Sequence, residues 1–160
     1  MGDAGHDDEA VESFRSFVAA TQRRLWLPLC MEVGAELADD AVAQSMAYAW
    51  QNWARIRAMA NPEGYLYRAA QRYARRARPH RVVALPRLDP SHQPEIEPGL
   101  IDALAALSPH QRVAVFVIDG CGWTLAEAAA LLDVSVSTVR NHRARGMARL
   151  RELLEVDIDV

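Results

Sequence analysis

The sequence predicts an all-α protein in which two small helical domains are joined by a proline-rich linker. Before residues 79–98, apolar residues recur at three- and four-residue steps, which is the period of a helix, and after them two capping boxes mark helix starts. Five prolines fall within residues 79–98 and exclude helix over most of that span. We therefore expect a disordered acidic tail (1–12), a helical domain (13–78), the linker (79–98) and a second helical domain (99–155).

Size and composition exclude several classes of protein. The 160 residues suit one domain or two small ones, and a hydrophobic content of 51% suffices to build packed cores. The longest uninterrupted apolar stretch, Leu25–Met31, is too short to cross a membrane and contains Pro28. The acidic N-terminus lacks the apolar segment of a secretory signal. We therefore expect a cytoplasmic protein with no insertion into a membrane.

The net charge of −3 conceals an uneven distribution of charge. Residues 1–40 carry nine acidic residues against three Arg, whereas residues 41–98 carry four against nine and residues 99–160 carry eight against six. Every basic residue is Arg, whose planar guanidinium suits phosphate groups and base edges. The net charge of the whole chain is therefore a poor guide to its partners, because the middle of the chain is basic.

Residue types that carry catalysis or bind metals are scattered in this chain. Cys30 and Cys121 lie far apart without a CxxC partner, and the five His show no metal-ligand spacing. We expect two reduced thiols packed in the interior and no cofactor or metal. There is no pairing of a nucleophile with a base, no Gly-rich phosphate loop and no carboxylate pair beyond the adjacent Asp39 and Asp40. The sequence therefore predicts no catalytic residue and no enzyme.

The first domain is predicted to contain three or four helices. Residues 11–34 show helical spacing of apolar side chains, with a kink or restart near Leu27 because Pro28 cannot continue an unbroken helix. A second helix is expected from about Ala38 to Trp53, with two acidic residues at its start that complement the helix dipole. A third begins at Pro62, a residue favoured at the first helical position, and runs to about residue 78.

The second domain is predicted to contain four helices. A short helix over residues 100–107 is followed by Ser108–Gln111, a capping box that begins the next helix. The apolar run at residues 113–118 alternates in a way that also fits a buried strand, but the cap favours helix. Thr124–Glu127 forms a second capping box for a helix to Leu132, and a last helix is expected over residues 136–154.

Residues 125–141 have the spacing of a helix-turn-helix. We expect Leu132, Val134 and Val139 to fill the seam between its helices, and Asp133 to adopt the left-handed backbone conformation of the turn. The second helix shows short polar and arginine side chains, the types that contact base edges and phosphates in a major groove. A helical hairpin with a solvated basic face is the alternative. The candidates for contact with duplex DNA are Ser137, Thr138, Arg140, Asn141, Arg143 and Arg145.

The first domain has a second nucleic-acid pattern, an acid-free run from Gly64 to Leu88 in which arginines and tyrosines alternate. Cations that follow a backbone, interleaved with rings on which bases stack, suit single-stranded or melted nucleic acid. The alternative is a solvated arginine-rich helix whose tyrosines lie partly in the core. The candidates in and before this run are Arg57, Asn61, Tyr65, Tyr67, Arg68, Arg72, Arg75 and Arg76.

Three segments resemble motifs of the sigma-70 family of RNA polymerase sigma factors. Residues 39–50, DDAVAQSMAYAW, resemble the family's AEDLVQEVFLRAW motif, and residues 62–72 resemble its WLYRIARN segment. Residues 122–150 resemble GYSYxEIAxxLGISxGTVK with its RAxxxL tail. A chain with only these two domains resembles the small extracytoplasmic-function (ECF) group.

The resemblance implies a region 2-like helical domain and a region 4-like helix-turn-helix in a subunit that directs RNA polymerase core to promoters and initiates transcription. The N-terminal domain would recognise and melt the −10 element with the arginine–tyrosine candidates, and the helix-turn-helix would bind the −35 element. Asp40 and Gln44 would contact the polymerase core. The implied partners are the β′ clamp and β flap of the core, promoter DNA and, as is common in the family, an anti-sigma factor.

A stand-alone helix-turn-helix regulator of transcription, with an N-terminal protein-interaction domain, is the second hypothesis. It is favoured by Ala43-Gln44, where the family has Gln-Glu, because the change removes a carboxylate that would meet a basic clamp surface. The chain also carries Tyr65 where the family has Trp, Arg72 where it has Asn and Asp133 where it has Gly.

Overall fold

The computed structural model describes residues 4–77 and 99–155, and these residues form helices without any strand, which confirms the all-α prediction. The proposed linker lies outside the described residues. Among the helices of the described ranges, none is long and apolar enough to span a membrane. The elements are α1 (Ala4–Val33), α2 (Ala35–Gln51), α3 (Trp53–Ile56), α4 (Pro62–Ala77), α5 (Leu100–Ala105), α6 (Pro109–Val115), a π-helical turn (Phe116–Gly120), α7 (Leu125–Leu132) and α8 (Val136–Glu155).

Helix α1 runs without a break across Pro28, so the predicted restart near Leu27 is wrong, while a kink there stays a prediction. Proline has no N–H to donate to the carbonyl four residues earlier, which costs about 3 kcal/mol inside a helix. Here Leu25, Leu29 and Cys30 on the same stretch of α1 are buried in the N-terminal core. Burial of this apolar stretch outweighs the lost hydrogen bond.

The N-terminal end of α1 also departs from the prediction, because residues 4–12 are helical rather than a disordered tail. Ala10 and Phe14 pack against the N-terminal core, where the Phe14 ring contacts those of Trp50 and Trp53 at centroid distances of 5.1 and 5.2 Å. Acidic residues near a helix N-terminus are stabilised by the dipole. Tertiary packing therefore extends α1 into the acidic segment.

The N-terminal core is formed where α1, α2 and α4 pack on one another. Helix α2 begins at Ala35, earlier than predicted, because Gly34 reverses the chain with φ = 89°, a conformation that suits glycine. Helix α4 begins at Pro62 as predicted. Tyr67, Leu29 and Ile56 are among the large side chains of this core that are fully buried.

Both predicted capping boxes are present in the C-terminal half. The Ser108 hydroxyl accepts the Gln111 N–H at 3.4 Å, and the Thr124 hydroxyl accepts the Glu127 N–H at 3.1 Å. Residues 113–118 are helical: the first three end α6 and the last three begin the π-helical turn, after which the Cys121 N–H donates to the Phe116 carbonyl. The strand alternative for this run is therefore wrong.

The two halves of the described chain pack directly against each other. Leu131 of α7 is buried in the N-terminal core, and Met31 of α1 is buried in the core around α6 and α7. Helix α4 contacts α7, and α1 contacts α6. The helix-turn-helix thus lies against the N-terminal domain.

A buried arginine joins three helices at this junction. Arg112 is 5% exposed, and its guanidinium donates to the carbonyls of Leu104, Ala105 and Leu107 at 2.9–3.0 Å. It donates a further bond to the Met31 carbonyl near the end of α1, at 3.0 Å. These carbonyls lie at or next to helix C-termini, where the dipole favours a cation. Burial lowers the pKa of Arg112, and the four carbonyls offset that cost.

Replacement of Arg112 by Met should lower the free energy of unfolding by about 3 kcal/mol, because it leaves several buried carbonyls without a donor. Urea denaturation followed by circular dichroism measures the change. Arg151→Met, on the exposed side of α8, is the control and should change stability by less than about 0.5 kcal/mol. If Arg112→Met lowered the free energy of unfolding by less than about 1 kcal/mol, a stabilising role for the buried guanidinium would be contradicted.

The cap of α7 makes a pH-dependent contribution to stability. The backbone N–H and hydroxyl of Thr124 both donate to the Glu127 carboxylate at 2.8 Å, and they lower the pKa of Glu127 below its ordinary 4.5. This contribution is complete above pH 4.5 and is lost as the pH falls through the lowered value. Carbon-13 NMR titration should give a Glu127 midpoint below 4.5, and Thr124→Ala should raise it. A midpoint at or above 4.5 in the parent protein would refute the cap's effect.

Candidate nucleic-acid interface

The turn of the helix-turn-helix adopts its expected conformation. Asp133 ends α7 in the left-handed region with φ = 54°, and the Val134 N–H donates to the Ala129 carbonyl at 3.1 Å, a Schellman-type end. Val139 is buried in the seam and Leu132 is half-buried, as predicted. Val134 is 41% exposed, so its predicted place in the seam is wrong. The left-handed residue before it turns the chain away from the crossing of the two helices.

Helix α8 presents a polar face to solvent from its first turn. Ser135 caps it by accepting the Thr138 N–H at 3.1 Å, while Val139, Gly146 and Leu150 face the core. Thr138 is half-buried and bonds the Ser135 hydroxyl at 2.7 Å. The predicted duplex-DNA candidates that are exposed are Ser137, Arg140, Asn141 and Arg145.

The remaining candidate on α8, Arg143, is engaged within the protein. Its guanidinium makes two bonds to the Asp119 carboxylate, at 2.8 and 2.6 Å, and this pairing raises the pKa of Arg143. Asp119 lies in the π-helical turn. The structure therefore uses Arg143 to position α8 against the π-helical turn rather than to present a free guanidinium.

Helix α4 carries most of the N-terminal candidates, and two of them, buried Tyr67 and exposed Arg75, contact Glu32 of α1. The carboxylate of Glu32 accepts a bond from the Tyr67 hydroxyl at 3.2 Å and lies 3.5 Å from the Arg75 guanidinium. Tyr67 is 1% exposed, and burial raises the pKa of its hydroxyl. Tyr67 is thus a core residue in this structure and has no surface on which a base could stack.

Two more N-terminal candidates contact the helix-turn-helix. The Asn61 amide donates to the Ala130 carbonyl at 2.7 Å, and its carbonyl accepts the Gly64 N–H at 2.9 Å. Arg68 forms an ion pair with Asp133. The structure therefore brings two residues of the predicted single-strand surface against the first helix and turn of the predicted duplex reader.

The other N-terminal candidates share an open face. Tyr65 is half-buried, and Arg72 and Arg76 follow it two and three helical turns along α4 with exposed side chains. Arg57 is exposed just after α3. Solvent also reaches Arg68 and Arg75, although each of them pairs with a carboxylate of the protein.

Sequence reasoning missed one residue of this open face, Tyr48, and left Arg55 out of the candidate set. The Arg55 guanidinium donates to the Tyr48 hydroxyl at 2.5 Å, and the Tyr48 and Tyr65 hydroxyls lie 3.2 Å apart. The pKa of Tyr65 is lowered by its bond to Tyr48, with smaller effects from Arg55 and Arg72. Tyr48 lies on the exposed side of α2 beside buried Ser45 and Ala49, a periodic signal that the sequence already contains. We call Tyr48, Arg55 and Tyr65 the tyrosine–arginine cluster.

The candidates for contact with the polymerase core lie on α2. Asp40 and Gln44 are exposed and one helical turn apart, so they share a face. The neighbouring Asp39 accepts the Trp26 indole N–H at 2.7 Å, which leaves Asp40 as the more outward carboxylate. Trp50, further along α2, is 48% exposed.

The cysteines are both free thiols. Cys30 is buried, and burial raises its pKa to about 11; Cys121 is half-buried. In the described ranges, 4–77 and 99–155, no group of His, Cys, Asp and Glu side chains has the arrangement of a metal site.

Similarity to known proteins places this geometry in a family. Residues 99–150 match the family model described as Sigma-70, region 4. The chain is 34% identical over 128 residues to the ECF RNA polymerase sigma factor SigM of Mycobacterium tuberculosis, covering 75% of this chain and 65% of that relative. It is 38% identical over 68 residues to the RNA polymerase sigma factor CarQ of Myxococcus xanthus, covering 42% and 39% of the two chains. The chain thus spans less than two thirds of these relatives.

The fold agrees with this assignment. A solved structure of the sigma factor RpoE in complex with the anti-sigma factor NepR, from Bartonella quintana, superposes with a TM-score of 0.65. The superposition covers 91% of this chain and 99% of that chain at 20% identity, so it speaks for the fold alone. Taken with the family match and the sequence relatives, it leads to one conclusion: the chain belongs to the extracytoplasmic-function group of the sigma-70 family.

Proposed function

We propose that this protein directs RNA polymerase core to promoters, binding the −35 element as duplex through α8 and the −10 element as melted strand through the open face of α4. The observation that carries the proposal is a helix-turn-helix whose second helix leaves Ser137, Arg140, Asn141 and Arg145 exposed. A second exposed surface of arginine and tyrosine lies in the other domain. Two nucleic-acid surfaces of different chemistry suit a reader of two promoter elements.

The −35 contact follows from the chemistry of α8. Arg140 and Arg145 can form bidentate bonds with guanine or neutralise phosphates, and Asn141 can bond adenine. The N-terminus of α8, with the Ser135 and Ser137 hydroxyls, suits a phosphate. Arg143 contributes by holding the helix against Asp119.

The −10 contact follows from the open face of α4 and the tyrosine–arginine cluster. Stacking of a base on a tyrosine is worth about 1–3 kcal/mol, which offsets the cost of unpairing a base. Hydrogen bonds hold the Tyr48 and Tyr65 rings in place before DNA arrives. The exposed Arg57, Arg72 and Arg76 supply charge along the strand. Asn61 and Arg68 become part of this surface only when their contacts with Ala130 and Asp133 are broken.

The proposed protein partners follow from the same surfaces. Asp40 and Gln44 on α2 would meet the basic clamp of the β′ subunit, and the helix-turn-helix would also touch the β flap. An anti-sigma factor is proposed as a further partner, since the similar RpoE is described in complex with the anti-sigma factor NepR. In this function the chain contributes binding and specificity, and the polymerase core performs the chemistry.

The proposal is tested by association with core polymerase and by transcription. We expect the protein to co-purify with core polymerase at low salt and to confer initiation at a discrete set of start sites on genomic templates. Asp40→Lys should weaken the association at least tenfold, because it places a cation against a basic clamp, while Asp102→Lys in the other half serves as the control. Duplex binding by the chain alone without any association with core would instead support the stand-alone regulator.

Two variants separate the roles of the two DNA surfaces. Arg140→Gln should weaken binding of the polymerase complex to −35 duplex by about tenfold and reduce the slope of log affinity against log salt by about one. Tyr65→Leu should leave that duplex binding unchanged but reduce the permanganate reactivity of melted thymines at the −10 element. Arg151→Gln is the matched control for lost charge on α8. If Arg140→Gln and Tyr65→Leu had equal effects on duplex binding and on permanganate reactivity, the proposed separation of −35 and −10 binding between the two surfaces would be contradicted.

A further inference from the structure

The contact between α4 and α7 uses the residues that the proposed −10 surface needs. Asn61, immediately before α4, and Arg68, within α4, both face the end of α7. Each makes its contact through the donor group that would otherwise face a nucleic acid. The Ala130 carbonyl and the Asp133 carboxylate thereby stand where a base acceptor and a phosphate would stand.

The Asn61 contact satisfies a helix end. The Asp133 and Val134 N–H groups both donate to the Ala129 carbonyl, which leaves the Ala130 carbonyl available, and the Asn61 amide takes it at 2.7 Å. The approach is close because residue 64 is glycine. A Cβ there would lie 3.0 Å from the Ala130 oxygen and 2.5 Å from the Asn61 amide nitrogen.

The Arg68 contact depends on a residue in a costly conformation. Asp133 holds the left-handed conformation that glycine adopts freely, and its carboxylate pairs with Arg68 of the other domain. A glycine at this position would make the same turn without the ion pair. The carboxylate of Asp133 therefore serves the contact between domains rather than the turn.

A second cation–anion group flanks these two contacts. Arg24 of α1 lies 3.4 Å from Glu63 at the start of α4 and 3.8 Å from Glu127 at the start of α7. Its guanidinium also covers the Trp123 ring at 4.7 Å from the centroid. Charges from both domains thus meet along the length of the α4–α7 contact.

We infer that the free chain closes on itself through this α4–α7 latch, with Asn61, Arg68 and Arg24 on one side and Ala130, Asp133 and Glu127 on the other, and that the latch must open before Asn61 and Arg68 can meet DNA. The closure stands on the contacts alone, while its consequence for DNA rests on the function proposed above. The latch is an autoinhibitory contact in which the duplex-reading domain covers part of the strand-binding surface.

The strength of the latch suits a reversible contact. Arg68 and Asp133 are 47% and 42% exposed, and ion pairs at that exposure are weak and screened by salt. Leu131 adds apolar burial that salt does not screen. Opening costs Arg112 only its bond to Met31, because its other three acceptors belong to its own domain.

Distances between spin labels test the closure. Labels on Ala47→Cys and Ala148→Cys, both at exposed positions in opposite domains, are placed in a Cys121→Ser background. Cys30 is buried and its pKa is raised to about 11, so it reacts slowly near neutral pH. We expect one narrow distance in the parent at low salt. Asp133→Asn, which tolerates the left-handed turn but loses the charge, should raise the longer-distance fraction roughly twofold to fivefold.

A variant of different chemistry keeps the test independent of charge. Gly64→Ala should also raise the longer-distance fraction, because its methyl group displaces the Asn61 amide from Ala130. Arg68→Gln combined with Asp133→Asn should open the chain no more than Asp133→Asn alone. Asp102→Asn, which removes a carboxylate away from the latch, should match the parent. Thermal unfolding checks that every variant is folded.

A second readout separates this inference from the proposed function. Binding of a fluorescent oligothymidine of about 12 nucleotides, followed by anisotropy, should tighten twofold to fivefold in the opened variants. Longer distances without tighter binding would support the latch but contradict the assignment of Asn61 and Arg68 to nucleic acid. Unchanged distances in both Asp133→Asn and Gly64→Ala, or a broad distribution already in the parent, would overturn the latch.

Discussion

The buried guanidinium of Arg112 is the interaction on which the rest of the described structure depends. A planar group with five donors can bond several carbonyls at once, and here those carbonyls belong to the end of α5, the segment after it and the end of α1. Without it, helix ends that meet at one point would present unpaired acceptors to the protein interior. The arginine lets three helices converge, and α6, which carries it, is thereby fixed against both domains.

The placement of the proposed duplex-reading helix follows from that constraint. Helix α6 continues into the π-helical turn, whose extra residue brings Asp119 to Arg143 on α8. The two-bond pair and the Val139 seam hold α8 from two sides. The position of α8 therefore depends on α6, which Arg112 fixes in place. Because Arg143 positions the helix, the other arginines on its exposed face can contact DNA.

Closure and DNA binding compete for the same donors in the N-terminal domain. In the closed chain, the Ala130 carbonyl accepts the Asn61 amide and the Asp133 carboxylate pairs with Arg68. Both donors are therefore satisfied by acceptors of the protein instead of acceptors of a nucleic acid. The tyrosine–arginine cluster and Arg72 lie on the neighbouring face and remain open. The proposed strand-binding surface thus has a part that is always accessible and a part that depends on the position of the helix-turn-helix.

Local signals in the sequence were enough to predict the elements whose cause is local. The capping boxes at Ser108 and Thr124, the start of α4 at Pro62 and the left-handed Asp133 each depend on residues within one turn, and all are found as predicted. The helix-turn-helix and its exposed polar face follow from the same short-range spacing. The family motifs, which are also short and contiguous, led to the correct family.

Features that depend on distant residues were decided by the tertiary structure. The unbroken helix across Pro28 and the helical acidic segment require a core that other helices complete. The bond from Tyr67 to Glu32 and the bond from Arg112 to Met31 each join residues more than thirty positions apart in the sequence. The sequence by itself was enough to predict the helix ends that have a local cause and to propose side chains for contact with DNA. Only the packing of the two domains decided which of those side chains are exposed, because a donor bonds whatever acceptor the fold brings within reach.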